Sequence, residues 1–210
     1  MLAQRLEHLR HADGVVLGLP RGGVPVAYEV AIELDAALDV IVVRKLGVPF
    51  QEELAMGAIG EGGVRIINPD VVRRAGVSEA DLAEVERRER LELERRALRF
   101  RGDQPPVVLD HRTAIIVDDG IATGSTARAA CQVARAHGAA RVVVAAPVAP
   151  PSTVNDLRPY ADEVVCVETP ESLFAIGEWY DDFSQTPDAV VVDLLRRAAA
   201  RVRSAPAPPG

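Results

Sequence analysis

The hydrophobic positions of the chain fall into short, β-branched runs that alternate with segments of helical periodicity. This alternation is typical of a parallel sheet with helices on both faces. The runs predict strands at residues 14–19, 39–46, 113–119, 141–149 and 162–168. The segments between them predict helices at residues 25–34, 125–137 and 152–160. Each helix is long enough for a right-handed crossover, so we expect an α/β fold with an open parallel sheet of about five strands.

A long excursion interrupts this alternation between residues 47 and 111. The stretch GAIGEGGVRII predicts a hairpin that turns at residues 61–63. Ser78, with Asp81 three residues later, predicts the N-cap of a helix from Glu79 to about Arg101. Glu and Arg recur in this helix at spacings of three and four, which favours a solvated helix with internal ion pairs. The alternative is a contact surface for an oligomer such as a homodimer.

The rest of the chain completes one predicted domain, residues 1–210. Thr186, Pro187 and Asp188 predict the start of a C-terminal helix, because they supply a capping side chain, a first-turn proline and an acid near the helix dipole. We divide the domain into a Rossmann-like core (about 13–46 and 112–168) and the excursion (about 47–111). The remaining segments at the two ends are a small unit, here called the hood (about 1–12 and 169–203), and a loose tail (204–210).

Composition and charge limit the possible functions. Hydrophobic residues make up 48% and charged residues 26%, as in ordinary soluble globular proteins. No apolar run approaches the roughly 20 residues of a membrane span, and the N-terminus lacks the apolar centre of a signal peptide, so we expect a cytoplasmic protein without a membrane partner. The net charge of −7 opposes nucleic-acid binding. Cys131 and Cys166 lack ligand spacing and are expected to be buried free thiols, and the four histidines show no metal-ligand spacing.

The segment AIIVDDGIATGST, residues 114–126, places two acids at the end of a predicted strand and a small-residue turn before a predicted helix. The amides and hydroxyls of this turn, with the helix dipole, predict a cup for a phosphate group. The cup consists of Ala122, Thr123, Gly124, Ser125 and Thr126. Asp118 and Asp119 would repel a phosphate, so we expect them to face neutral hydroxyls or a metal ion. Helix capping and a tight turn are the simpler alternative, but capping accounts for one acid only.

This segment resembles the signature of the type I phosphoribosyltransferases: an apolar strand, two acids and a small-residue loop ending in T-G-x-T, here IIVDDGIATGST. The resemblance covers about Val15 to Val167. It implies a site for phosphoribosyl pyrophosphate (PRPP), with Asp118 and Asp119 on the ribose hydroxyls and residues 122–126 around the 5-phosphate. A Walker A loop and the GxGxxG fingerprint are absent from the sequence.

Two further segments fit that resemblance. In GLPRGGVPVA, Gly22 and Gly23 allow backbone amides to approach an anion and Arg21 adds a positive charge. The family has its pyrophosphate loop here, and we expect a cis peptide bond at Arg21-Gly22. The predicted strand 39–46 ends in Arg44 and Lys45, the only lysine in the chain. We expect both cations at the C-terminal edge of the sheet, against the departing diphosphate.

The implied reaction is a magnesium-dependent displacement of diphosphate from PRPP by a ring nitrogen to give a nucleotide, with a nucleobase as the expected acceptor. Mg²⁺ would be held mainly by substrate oxygens, with Asp118 and Asp119 reached through water. The excursion occupies the place of a flexible lid that excludes water. Trp179 and Tyr180 are candidates for stacking on the acceptor, with Phe183 nearby; the alternative is that these rings form a small core of the hood.

Two positions depart from the family pattern. Ala122 fills the slot where some purine enzymes have an acid near the base, so the sequence shows no general base. Ser125 replaces a glycine and is compatible with the loop if its backbone is helical. Two other functions stay open: a non-catalytic sensor of PRPP or nucleotide on the same fold, and hydrolysis of a sugar phosphate, for which no water-activating base is visible.

Overall fold

The computed structural model describes residues 1–102 and 104–204 of the 210-residue chain. Asp103 and residues 205–210, which include most of the predicted loose tail, lie outside the described residues. The strands are β1 (Gly14–Gly18), β2 (Ala37–Val40), β3 (Val43–Val48), β4 (Gln51–Gly60), β5 (Arg65–Ile67), β6 (Thr113–Val117), β7 (Arg141–Val148) and β8 (Glu163–Glu168). The α-helices are α1 (Leu2–Arg5), α2 (Gly23–Leu34), α3 (Pro69–Arg74), α4 (Glu79–Arg101), α5 (Ser125–Ala136), α6 (Pro151–Leu157) and α7 (Asp188–Ser204).

The main sheet has five strands in the order β2-β1-β6-β7-β8, and all of its pairings are parallel. This confirms the predicted α/β fold. Alternate residues of the central strands face opposite layers, since successive side chains in a strand point to opposite faces. Ile116 packs with the buried side of α5, whereas Ile115 packs with α2 and the N-terminal segment. The apolar runs are therefore continuous because both faces of the sheet are covered.

The predicted strand 39–46 is wrong as a single element. The chain leaves the parallel sheet after Val40 and re-enters a separate, three-stranded antiparallel sheet at Val43, with the order β3-β4-β5. The apolar residues that continue across the break are buried: Val40, Ile41 and Val42. No polar turn residue marks the break, so the pattern alone suggested one strand. As a result, Arg44 and Lys45 lie inside β3 and not at the C-terminal edge of the parallel sheet.

The excursion is an ordered layer. The predicted hairpin is present, since β4 and β5 pair antiparallel around the turn at Glu61–Gly63. The predicted capping box also holds: the Ser78 side chain accepts from the Asp81 amide, and the Asp81 carboxylate accepts from the Ser78 amide. Helix α4 carries the expected internal ion pairs, including Glu84–Arg87 and Glu86–Arg90. Its other face is buried against the small sheet and α7 through Val85, Leu93 and Phe100.

The predicted start of the C-terminal helix is confirmed, because α7 begins at Asp188. Leu2, Leu6 and Leu9 of the N-terminal segment are buried with α2 on one face of the main sheet. Cys131 and Cys166 are free thiols, as expected; Cys131 is buried, which raises its pKa to about 12, whereas Cys166 is only partly buried. Among the residues that the structure describes, no helix combines the length and the apolar character that crossing a membrane demands.

A buried ion-pair network joins the end of α4 to both sheets. The Arg101 side chain is only 8% exposed; its Nε donates to Asp39 Oδ1 at 2.9 Å and its Nη2 donates to Glu61 Oε2 at 2.8 Å. Nη2 also donates to the Val40 carbonyl at 3.0 Å. Burial lowers the pKa of Arg101, but hydrogen bonds and charges from Glu61 and Asp39 raise it by more, so it stays above its ordinary value. The network fixes α4 where the chain leaves the parallel sheet.

We expect Arg101→Met to destabilise the fold by about 3–5 kcal/mol, because it leaves the buried carboxylate of Asp39 and the partly buried carboxylate of Glu61 without their cation. Urea unfolding of the two proteins measures the difference. Arg87→Met on the same helix is the control: Arg87 is exposed and pairs with Glu84 in a surface ion pair, whose loss costs about 1 kcal/mol at most. Equal stability losses in the two variants would contradict a structural role for the Arg101 network.

Candidate active site

The ends of two neighbouring strands bring the two predicted anion-binding loops together. Gly18 at the end of β1 pairs in register with Val117 at the end of β6. The loop of residues 19–23 and the loop that begins at Asp118 therefore leave the same edge of the sheet at the same level. In open α/β sheets this C-terminal edge is where ligands bind. The topology thus places residues about a hundred positions apart in one site.

The loops contact each other closely because Gly22 and Gly23 lack side chains. A Cβ atom at Gly22 would lie 1.7 Å from Asp119 Oδ2, and one at Gly23 would lie 2.6 Å from the Val117 carbonyl oxygen. Real atoms do not approach so closely. A side chain at Gly23 would meet backbone atoms, so only glycine fits there, and a side chain at Gly22 would require the Asp119 carboxylate to move. The peptide bond before this pair, Pro20-Arg21, is cis. The cis bond was predicted at Arg21-Gly22 and is therefore one residue earlier than expected.

Asp118 and Asp119 lie half-buried at the end of β6. The Asp118 carboxylate accepts a hydrogen bond from the Asp119 amide at 3.0 Å. Burial, reinforced by the neighbouring Asp119 charge, raises the pKa of Asp118 to about 8, and burial also raises the pKa of Asp119. The pair is poorly compensated by protein groups, so hydroxyl donors or a cation from a ligand would stabilise its ionised form.

The small-residue loop after these acids leads directly into α5. Gly124 has a positive φ of 70°, and Ser125 is the first residue of α5. Ser125 therefore has the helical backbone that serine needs in place of the family's glycine. Thr123 Oγ1 and Ser125 Oγ lie 3.3 Å apart. The buried Thr153 of α6 donates from its hydroxyl to the Ala122 carbonyl at 2.6 Å and holds the loop from behind. Hydroxyls and helix N-terminal amides thus surround a site open to solvent, as a phosphate requires.

A cavity of about 370 Å³, here called the hairpin cavity, lies between β3, α4 and α5. Lys45 and Thr126 both line it. Lys45 pairs with Glu53, whose side chain is 95% exposed, so its cation is only weakly compensated. Arg44 also lines the cavity, but its guanidinium donates twice to the buried carboxylate of Glu89, at 2.8 and 2.5 Å. Lys45 is therefore the better placed of the two to attract an added anion.

A larger cavity of about 750 Å³, here called the hood cavity, adjoins the hairpin cavity at Pro20. Its walls come from three parts of the chain: the loop of residues 20–22 with Asp119, the last turns of α4, and residues 180–188. The Tyr180 hydroxyl donates to the Asp119 carbonyl at 2.5 Å, which attaches this C-terminal segment to the acid pair. The hood cavity is thus continuous with the acid pair and the glycine loop.

The aromatic candidates are only partly placed as predicted. Tyr180 lines the hood cavity together with Phe183, and the two ring centroids lie 5.1 Å apart. Trp179 is 43% exposed and is not among the residues that line this cavity. Phe183 also packs close to Gly177. Tyr180 and Phe183 therefore form a pair of rings that lines the cavity, whereas Trp179 lies outside its lining.

Comparison with known proteins agrees with this geometry. The family model described as "Phosphoribosyl transferase domain" matches residues 1–183. The chain belongs to this family. It is 60% identical over 197 residues to the "Putative phosphoribosyl transferase" of Mycobacterium tuberculosis strains CDC 1551 / Oshkosh and ATCC 25618 / H37Rv, with 94% of this chain and 44% of each relative covered. The chain thus spans less than half of the length of these relatives.

A solved structure shows the same architecture. The crystal structure of TT1426 from Thermus thermophilus has a TM-score of 0.85 and 42% sequence identity to this phosphoribosyl transferase domain. The similarity covers 93% of both chains. The excursion and the C-terminal segment therefore fall largely within the part of the fold that the two proteins share.

Several residues of the site were not identified from the sequence. Arg95, Arg96 and Arg99 of α4 line the hood cavity. The i, i+4 spacing of Arg95 and Arg99 was visible, but their alternation with glutamates favoured a solvated helix. Thr153 and the Tyr180 hydroxyl support the loop and the acid pair from distant parts of the chain. No local sequence signal connects them with the acid motif, because only the fold brings them there.

Asp118 gives this phosphoribosyl transferase domain a testable pH dependence. An aspartate in the unfolded chain titrates near pH 4, whereas the pKa of Asp118 in the folded state is about 8. The folded state therefore holds a proton that the unfolded chain has lost, and the free energy of unfolding falls as pH rises through this window. Asp118→Asn lacks this carboxyl group and should show a smaller fall, with higher stability than the wild type above pH 8.

Urea unfolding without divalent cations, at pH values on both sides of 8, measures this effect. Asp156→Asn removes an exposed acid of α6 and serves as the control. Identical pH profiles for wild type and Asp118→Asn would show that burial does not perturb Asp118.

Proposed function

We propose that this domain transfers the 5-phosphoribosyl group from PRPP to a ring nitrogen of a small acceptor, of which a nucleobase is the expected kind, and releases pyrophosphate with the help of Mg²⁺. The observation that carries the proposal is the contact between the glycine loop and the acid pair. The contact brings the loop that carries Arg21, Gly22 and Gly23, with amides and a guanidinium suited to an anion, against the segment that carries two carboxylates suited to hydroxyls. Membership of the phosphoribosyl transferase family supports the same conclusion.

Three parts of one substrate correspond to three parts of the site. The hydroxyl-rich loop at the start of α5 suits the 5-phosphate, because a helix N-terminus favours a dianion. Asp118 and Asp119 suit the ribose hydroxyls. Arg21 and the amides near Gly22 and Gly23, together with Lys45 across the hairpin cavity, suit the diphosphate. The PRPP molecule has these groups in the same order, with the ribose between the 5-phosphate and the diphosphate.

The residues present fit a substrate-bound Mg²⁺. Among the residues that the structure describes, no cluster of three or more His, Cys, Asp or Glu side chains is arranged to hold a metal ion. Mg²⁺ commonly keeps several waters and binds proteins through one or two carboxylates together with substrate phosphates. Asp118 and Asp119 provide two such carboxylates, and a cation there would favour their ionised forms. When bound, Mg²⁺ would neutralise charge on the diphosphate oxygens.

In this proposal the protein mainly positions the reactants and stabilises developing charge. Negative charge grows on the diphosphate as its bond to carbon 1 breaks, and Lys45 is the cation best placed to meet it. Arg44 has a structural role in the same strand, because Glu89 compensates its charge. Helix α4 and residues 180–188 cover the acceptor side and limit access of water to the reacting carbon.

The decisive experiment is an assay of pyrophosphate release from PRPP and Mg²⁺ with a panel of purines, pyrimidines and simple amines. We expect release that depends on one class of acceptor and is abolished in the Asp118→Asn, Asp119→Asn double variant. If no acceptor supports release while PRPP still raises the melting temperature, the proposal fails and a PRPP-sensing role takes its place.

Lys45→Ala should lower kcat about 10²-fold, the usual cost of removing one group that stabilises charge in the transition state. Stability should change little, because the ion pair of Lys45 is with an exposed glutamate. Arg73→Ala, which removes an exposed cation of α3, is the matched control and should leave kcat unchanged. A Lys45→Ala variant with wild-type turnover would refute the assignment.

A further inference from the structure

The last turns of α4 present a row of guanidinium groups to the hood cavity. Arg95 and Arg99 are one helical turn apart and lie on the same side of α4. Both line the cavity opposite the C-terminal segment that carries Tyr180 and Phe183. Arg21 reaches the same cavity from the glycine loop. A neutral heterocycle does not need several arginines beside it, so this charge calls for an explanation.

The carboxylates nearby only partly compensate these arginines. Glu92 is shared, since it pairs with Arg95 at 2.8 Å and with Arg96 at 2.7 Å. Asp188 is shared as well, since it contacts Arg99 and lies 3.5 Å from Arg21. Four guanidinium groups thus share two carboxylates, although each guanidinium group has five N–H donors. The arrangement leaves donor capacity for a further anion.

Two other carboxylates line the hood cavity, and both interact with groups other than the arginines of α4. Asp119 belongs to the acid pair beside Gly22. Asp182 accepts a hydrogen bond from the Ser184 amide at 2.9 Å, within its own turn. Neither is paired in the structure with an arginine of α4, among the residues described. The charges of Arg95 and Arg99 are therefore compensated mainly by Glu92 and Asp188.

The position of Arg95 and Arg99 separates them from Lys45 and the hairpin cavity, whereas Arg21 of the glycine loop shares the hood cavity with them. Arg96 and Pro20 line both cavities, so Arg96 is close to the glycine loop and the hairpin cavity. Arg95 and Arg99 line the hood cavity and not the hairpin cavity. A carboxylate group can lie between arginines at this place, because the Asp188 carboxylate bridges Arg99 and Arg21. A ring carboxylate between the arginines and the aromatic side chains would have equivalent partners.

We infer that the acceptor is a carboxylated planar heterocycle, with its carboxylate bound by Arg95 and Arg99 and its ring against Tyr180 and Phe183. This inference rests on the proposed function and specifies its substrate class. The arginines act as specificity-determining residues, since charge-assisted hydrogen bonds to a carboxylate distinguish it from a neutral analogue.

The test uses matched pairs of probes that differ in the carboxylate: orotate against uracil, and nicotinate against nicotinamide. Pyrophosphate release is measured with PRPP and Mg²⁺, and probe binding is measured by calorimetry with magnesium pyrophosphate present. At least one carboxylated member should exceed its neutral partner about tenfold or more in kcat/KM or affinity. If no carboxylated member is preferred in either measurement, the inference is overturned, whereas release with neutral bases alone would leave the proposed phosphoribosyl transfer intact.

The double variant Arg95→Gln, Arg99→Gln tests the assignment to these side chains. We expect it to lose the preference for the carboxylated probe through a rise of about tenfold or more in KM, with the Kd for magnesium pyrophosphate within about twofold of wild type. Arg87→Gln, which removes an exposed arginine of the same helix, is the control and should retain the preference. Weakened pyrophosphate binding with an unchanged carboxylate preference would assign the two arginines to the diphosphate and overturn the inference.

Discussion

The site depends on the close approach of two backbone segments at the C-terminal edge of the parallel sheet. Gly22 and Gly23 lie against Val117, Asp118 and Asp119 with no room for a β-carbon on either glycine. This contact requires β1 and β6 to be neighbours in register, which in turn requires the helices that cover both faces of the sheet. The packing of the hydrophobic core therefore fixes the distance between the two loops of the candidate site. Glycine supplies the close contact, and the two acids supply carboxyl groups directly beside it.

A second layer is built on this edge from the excursion and the C-terminal segment. Arg101 fixes the end of α4 to Asp39 and Glu61, and Tyr180 attaches the C-terminal segment to the Asp119 carbonyl. Both anchors are polar contacts at the rim of the core. They place α4 and residues 180–188 on opposite sides of one cavity, although neither belongs to the parallel sheet. The walls of the site are thus held by polar contacts, and its floor is held by apolar packing.

Much of the fold was predictable because its signals are local. The parallel sheet, the hairpin at residues 61–63, the capping box at Ser78 and the start of α7 follow from periodicity and from turn and cap residues close in sequence. The division of residues 39–46 between two sheets was missed because Ile41 and Val42 are buried at the junction and look like strand residues. The acid pair was found from its own segment, whereas Arg95, Arg99 and Thr153 became part of the site only through tertiary packing. An arginine that alternates with glutamate on a helix looks solvated in sequence, even where one side of that helix faces a cavity.

The position of α4 outside the parallel sheet has an evolutionary consequence. Apart from Lys45 in β3, the groups assigned to PRPP lie on the edge of the parallel sheet and its loops, while the side chains assigned to the acceptor lie on one helix and one irregular segment. Substitutions at exposed positions such as Arg95 and Arg99 leave the buried face of α4 and the Arg101 anchor unchanged. Relatives with the same donor chemistry can therefore diversify in acceptor choice by altering a few surface side chains, with little effect on folding.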